Sequence, residues 1–228
     1  MDSQQNGNVI DHVFKIILLG SSAVGKSQIL LRFTKDQFNL STNNTIGVEF
    51  SAKVLEIDNK KIRVQVWDTA GQEKYKAIAK AYYKGAVGAF LVYDITNKSS
   101  YLEVDRWLLE IKEYSDQQNL VLMLIGNKND IETERKVSKE EAIKYAQSKK
   151  MGFLETSALT GHNIEFAFKQ ITEEILRNIQ ETQDDDDEFQ QTAAQYSKKK
   201  GQNSNASFLK AADHQIKKNN QNSSGSCC

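Results

Sequence analysis

The run GSSAVGKS at residues 20–27 follows an apolar stretch at 13–19 and precedes a stretch with helical apolar spacing through Ile29, Leu30 and Phe33. A strand, a tight glycine-containing loop and a helix in that order make a phosphate cradle. Small residues let backbone N–H groups curl around phosphate oxygens, and the helix adds its positive N-terminal dipole. Lys26 reaches the β and γ phosphates as a point charge, and the Ser27 hydroxyl can ligate an accompanying Mg²⁺. The loop alone does not say which base is bound or which reaction follows.

The rest of the chain predicts an α/β fold. Residues 48–57 and 62–67 alternate apolar and polar residues around Asp58-Asn59, a pair that tolerates the left-handed backbone of a tight hairpin. Further strand-like runs at 86–93, 120–125 and 152–154 are separated by helical patterns at 99–114, 138–149 and 163–180. This alternation implies a mostly parallel six-stranded sheet with one antiparallel strand and helices on both faces, which is a P-loop NTPase three-layer fold. Ligands of such sheets bind at the carboxyl ends of the strands.

Composition sets the limits of the folded part. Apolar runs thin out after about 179 and give way to Asn, Gln, Ser, Lys and Asp, so a folded domain at 12–180 is expected between a flexible 1–11 and a disordered tail at 181–228. The net charge is zero, which offers no electrostatic argument for nucleic acid. Residues 1–12 carry no signal-peptide core and no run is long enough to span a bilayer, so a cytosol-facing protein is expected. The two cysteines, Cys227 and Cys228, make neither a disulfide framework nor a metal cluster.

Three more stretches carry chemistry. In WDTAGQE the Asp68 carboxylate is placed to hold Mg²⁺ through water, Gly71 leaves its N–H open to a γ phosphate, and Gln72 can orient an attacking water. In NKND, Asp130 can accept both the N1–H and the 2-amino group of guanine, which adenine lacks, while Asn127 braces the neighbouring loops and the Lys128 stem covers the purine face. In ETSAL, the Ala158 N–H can donate to guanine O6. Phe38 either stacks on the base edge or packs below it, and Thr45 is a further Mg²⁺ candidate whose N–H can touch the γ phosphate.

GSSAVGKS, TIGVEF, WDTAGQE, NKND and ETSAL, in this order and spacing, resemble a Ras-superfamily small GTPase. TIGVEF and AYYKGAVGAFLVYD narrow the likeness to Rab proteins, and FNLSTNNTIGVEFSAK with the terminal Cys-Cys is most similar to the recycling-endosome subgroup. The likeness covers about 12–178. It implies a GTP-hydrolysing switch with Mg²⁺ and GTP or GDP bound, in which Lys26 and Gln72 serve catalysis and Ser27, Thr45 and Asp68 serve the metal. Phosphate contacts then fall on Ser22, Ala23, Val24, Gly25, Lys26, Ser27, Thr45 and Gly71, base contacts on Asn127, Lys128, Asp130, Ser157 and Ala158, and Gln28, Phe38 and Leu159 complete the nucleotide-binding set. Phe50, Trp67 and Tyr82 match the aromatic triad through which Rab proteins meet effectors. The expected partners are exchange factors, activating proteins, a GDP-dissociation inhibitor or prenyltransferase escort, and effectors, acting on a monomeric G domain.

The resemblance further implies geranylgeranyl groups on Cys227 and Cys228, two chains being needed for stable anchoring. It places the chain on the cytoplasmic face of endosomal, Golgi or secretory vesicle membranes, cycling with the cytosol. From 191 onward, Lys198, Lys199, Lys200, Lys210, Lys217 and Lys218 oppose only Asp213, so the far end is mildly basic. Four positions depart from the family pattern: Ser21 replaces a common acidic residue, Ala23 a glycine, Lys74 and Lys76 the switch II arginines, and Asn129 a small residue.

Overall fold

The computed structural model describes residues 9–40, 48–69, 82–117 and 119–200, the side chains of 48, 69 and 183–200 excepted. Six strands and five α-helices follow in chain order among them: β1 His12–Leu19, α1 Lys26–Lys35, β2 Val48–Ile57, β3 Lys60–Thr69, β4 Gly88–Asp94, α2 Lys98–Leu102, α3 Val104–Tyr114, β5 Val121–Asn127, α4 Lys139–Ser148, β6 Gly152–Glu155 and α5 Ile164–Lys200. The sheet order is β2-β3-β1-β4-β5-β6. Only β2 runs antiparallel, against β3. The β2–β3 turn is the expected one, with Asp58 and Asn59 both left-handed at φ 50° and 59°, the geometry that lets a two-residue loop follow the strand twist.

Two apolar layers enclose the sheet, as a mostly parallel sheet requires. Phe14, Ile16 and Leu18 face one layer with Phe33 and Phe168, whose rings stack at 3.7 Å. Ile17 and Leu19 face the other with Tyr93, Trp107 and Ile111. The period-two alternation of β1 therefore divides the core, while β4, buried at every residue, sits at its centre.

Two helical expectations change. The 99–114 pattern is two helices: the Asn97 side chain caps the start of α2 through the Ser99 and Ser100 N–H groups, and Glu103 closes it before α3 begins, its N–H donating to the Ser99 carbonyl. The last helix passes 180 and reaches Lys200, since 181–200 contains neither glycine nor proline and many good helix formers. The chain divides into two units, Met1–Ile179 and Gln180–Cys228.

Candidate functional site

The parallel register brings Asp68 of β3 level with Leu18 of β1, two residues before the phosphate loop. A carboxylate is thereby buried at the strand end facing the first helix. The Ser27 hydroxyl donates to its Oδ2, so two of the three expected metal donors already meet. A hydroxyl and a carboxylate suit Mg²⁺, which takes few protein oxygens and completes its shell with phosphate and water.

The loop itself is shaped by unusual backbone. Gly25 stands at φ +101°, and a Cβ there would lie 2.3 Å from Asn127 Nδ2, so only glycine fits. Ala23 is left-handed as well, at φ 64°, a conformation that costs a non-glycine residue about 1 kcal/mol or more. Ala23→Gly is expected to stabilise the chain by about 0.5–1 kcal/mol, after allowing for the added freedom of the unfolded state. Denaturant unfolding at fixed nucleotide concentration checks this; no gain in the midpoint would mean that the loop relaxes around alanine without strain.

Lys26 spans the loop, donating to the Gly20 carbonyl at 2.8 Å and the Ser21 carbonyl at 2.9 Å. Burial lowers its pKa to about 8, and the nearby Asp68 opposes that shift. Between about 8 and 10.5 the folded, ligand-free chain thus holds fewer protons at this site than the unfolded chain, and its stability rises with pH across that window. Phosphate oxygens restore the charged form, so nucleotide binding at pH 8.5 should take up about half a proton or more. Calorimetry in buffers of different ionisation enthalpy measures the uptake, which Lys26→Met should abolish.

At the base end, Asn127 closes β5 and joins two loops. Its Nδ2 donates to the Val24 carbonyl at 2.8 Å, and its Oδ1 accepts from the Thr156 hydroxyl and the Ala158 N–H, each at 3.2 Å. The brace expected of Asn127 is in place. It also occupies the Ala158 N–H offered to guanine O6, so that donor is shared in the ligand-free chain. The Ser157 hydroxyl donates to Asp130 Oδ1, which joins NKND to ETSAL. Asp130 is exposed. Lys128, left-handed at φ 67°, pairs with Asp94 at 2.7 Å, and the β4–β5 register sets Asp94 beside Asn127.

Other expected contacts fall as follows. Ser22 and Ala23 are exposed, and Val24 and Gln28 are buried. Gln28 accepts from the Asn39 N–H at 2.8 Å. Phe38 is half-buried and packs against the core that holds Phe33, the second of its two readings. Leu159 is exposed, with its carbonyl held by Arg32. Trp67 lies 5.1 Å from Phe50 and 5.8 Å from Tyr82 between ring centroids, so the aromatic triad is assembled. Thr45, Gly71, Gln72, Lys74, Lys76, Cys227 and Cys228 lie outside the described residues.

Sequence reasoning missed several supports. Arg135 forks onto both Glu132 and Glu155, closing at 2.6 Å on each, and so ties the segment after NKND to the first residue of ETSAL, where β6 ends. A charged residue among the apolar positions of β6 was the only signal. Ser21 donates to Glu103 at 2.6 Å, which gives this departure a partner at the start of α3.

The sheet order, the phosphate loop after β1 and the carboxylate at the end of β3 define a P-loop nucleotide-binding domain. The Ras family profile matches residues 15–177. Among similar proteins, GTP-binding protein ypt3 of Schizosaccharomyces pombe is 52% identical over 74% of this chain and 78% of its own length. Ras-related protein RABA4c of Arabidopsis thaliana is 52% identical over 75% of this chain and 76% of its own. Ras-related protein Rab-11A of Dictyostelium discoideum is 49% identical over 77% and 81%. The chain belongs to the Ras family of small GTPases, within its Rab-like clade.

Proposed function

We propose that this Rab-type GTP-binding protein is a slow, regulated GTPase switch acting in endosomal recycling or exocytic transport. One observation carries the reading: Asn127 ties the phosphate loop to the ETSAL loop, while Ser27 meets Asp68 at one end and Ser157 meets Asp130 at the other. Phosphate and base recognition are thereby built on one scaffold.

In this reading Asp130 selects guanine, Ser157, Ala158 and Leu159 border its O6, and Lys26 neutralises charge on the β and γ phosphates. Ser27, Thr45 and Asp68 would hold Mg²⁺, which supplies electrostatic stabilisation to the phosphates when bound. Gln72 orients the attacking water. Thr45 and Gly71 engage the γ phosphate and release it after hydrolysis, changing which partners the aromatic triad admits. An activating protein supplies a further cationic group, and an exchange factor reopens the site.

Among the described residues no helix is long and apolar enough to cross a membrane. Membrane contact is assigned instead to prenyl groups on Cys227 and Cys228, with 181–228 as a tether beyond a G domain at 12–180. A chaperoning inhibitor or escort would shield those groups as the protein cycles to the cytosol.

Competition against fluorescent GDP tests the reading. Equimolar GTP should displace the probe and equimolar ATP should leave it bound; displacement by ATP would point instead to a phosphate-transferring enzyme of broader base specificity.

A further inference from the structure

We propose that Arg32 is a positioning residue for base recognition, locking the ETSAL loop to the helix that carries the phosphate-binding serine. This rests on the guanine reading given above. Arg32 stands on α1, five residues beyond Ser27. Its Nε donates to the Ala158 carbonyl at 3.0 Å and its Nη2 to the Leu159 carbonyl at 2.7 Å. Two successive carbonyls of the base loop are thus read by one planar fork, a geometry that lysine cannot reproduce.

The third arm of the guanidinium fixes its direction. Nη1 donates to the Asp36 carbonyl at 3.1 Å and to Asp36 Oδ1 at 3.0 Å. Asp36 is the left-handed residue that ends α1, and its own N–H returns to the Arg32 carbonyl. Arg32 is consequently anchored to its own helix end while it holds the loop.

The loop is tightly closed on itself around these contacts. The Thr160 N–H donates to Ser157 Oγ at 3.0 Å, the Gly161 N–H to the Ser157 carbonyl at 2.9 Å, and the Ser157 N–H to the His162 carbonyl at 3.1 Å. Peptide planarity turns the Leu159 N–H away from α1 once the Ala158 carbonyl faces it. The Ala158 N–H shares its peptide plane with the Ser157 carbonyl, so Arg32 acts on that donor through the adjoining Ala158–Leu159 plane, which it holds by the Ala158 carbonyl. Asn127 fastens the same loop to the phosphate loop from the opposite side of Ala158. Charge-assisted bonds from a single guanidinium to α1 and to the loop make the two halves of the site one body.

A cavity of about 460 Å³ borders Arg32, lined also by Phe33, Lys53, Ile164 and Glu165. Water can hydrate the carbonyls that a shorter side chain would release, so a substitution there should fold.

The test uses the full chain with Mg²⁺ and fluorescent GDP. Arg32→Met keeps the alkyl stem and removes every donor; it should accelerate GDP release about tenfold or more, the loss of at least one charge-assisted bond. Arg32→Lys should fall between that variant and the native chain. Hydrogen exchange should show the Thr160 and Gly161 amides losing protection in Arg32→Met while the β4 amides keep theirs. Release within twofold of native, or equal loss of protection in β4, would overturn the proposal. Asp130→Asn, measured in parallel, separates the two levels. If it moves base preference away from guanine and Arg32→Met still releases normally, only the role of Arg32 fails. If guanine preference survives Asp130→Asn, the reading beneath it fails too.

Discussion

Asp130→Asn should weaken GTP binding by about 10³-fold or more and raise the relative affinity for xanthine nucleotides. The Asp130 carboxylate accepts two N–H groups from guanine, and each charge-assisted bond is worth about 1.5–3 kcal/mol. An asparagine amide can turn only one acceptor toward that edge and presents an NH₂ where guanine has its own amino group. Xanthine carries a carbonyl there, which the amide can satisfy. The fold should be unaffected, because Asp130 is exposed and an asparagine carbonyl can still accept the Ser157 hydroxyl that now reaches Asp130 Oδ1. Equilibrium titration with GTP and XTP measures both changes. A variant that binds GTP as tightly as the native chain would remove Asp130 from the base site.

Gln72→Leu should leave GTP binding near native and reduce activator-stimulated hydrolysis by about 10³-fold or more, out of a stimulation that reaches about 10⁵ in this class of reaction. The expectation follows from reach. Asp68 is fixed against Ser27 at the phosphate end, and Gln72 lies four residues further along the chain, at most about 14 Å fully extended. An amide there can position water by donating and accepting at once, whereas leucine can do neither. Single-turnover assays with and without an activating protein separate the two quantities. Stimulated turnover equal to that of the native chain would reject the role assigned to Gln72.

Legibility differed from one part of the chain to another. The hairpin at Asp58-Asn59 and the strand-loop-helix unit at GSSAVGKS could be read because each is a local demand on backbone conformation. Asn127 could be read as a brace, since a short amide at a strand end can donate to one loop and accept from another. The division of the 99–114 pattern at Glu103 could not, because Glu103 departs from helical backbone only in ψ, at −7°, a shift that apolar spacing does not register. Phe38 had two readings of equal physical merit, and its half-buried ring packs against the Phe33 core while part of it stays open.

Local chemistry in the sequence therefore determined which residues can hold phosphate, metal and base: the glycines, hydroxyls and carboxylates have those capacities wherever they stand. Tertiary structure decided which of them share a site and what holds them there. Arg32 and Ala158 are 126 residues apart, Arg135 and Glu155 are 20 apart, and Ser27 and Asp68 are 41 apart. No period or motif links the first two pairs, and the two motifs that name Ser27 and Asp68 do not set the distance between them. The parallel register and the burial of the sheet bring them together, because strands that must pair and cover one another also carry their end residues to a common edge.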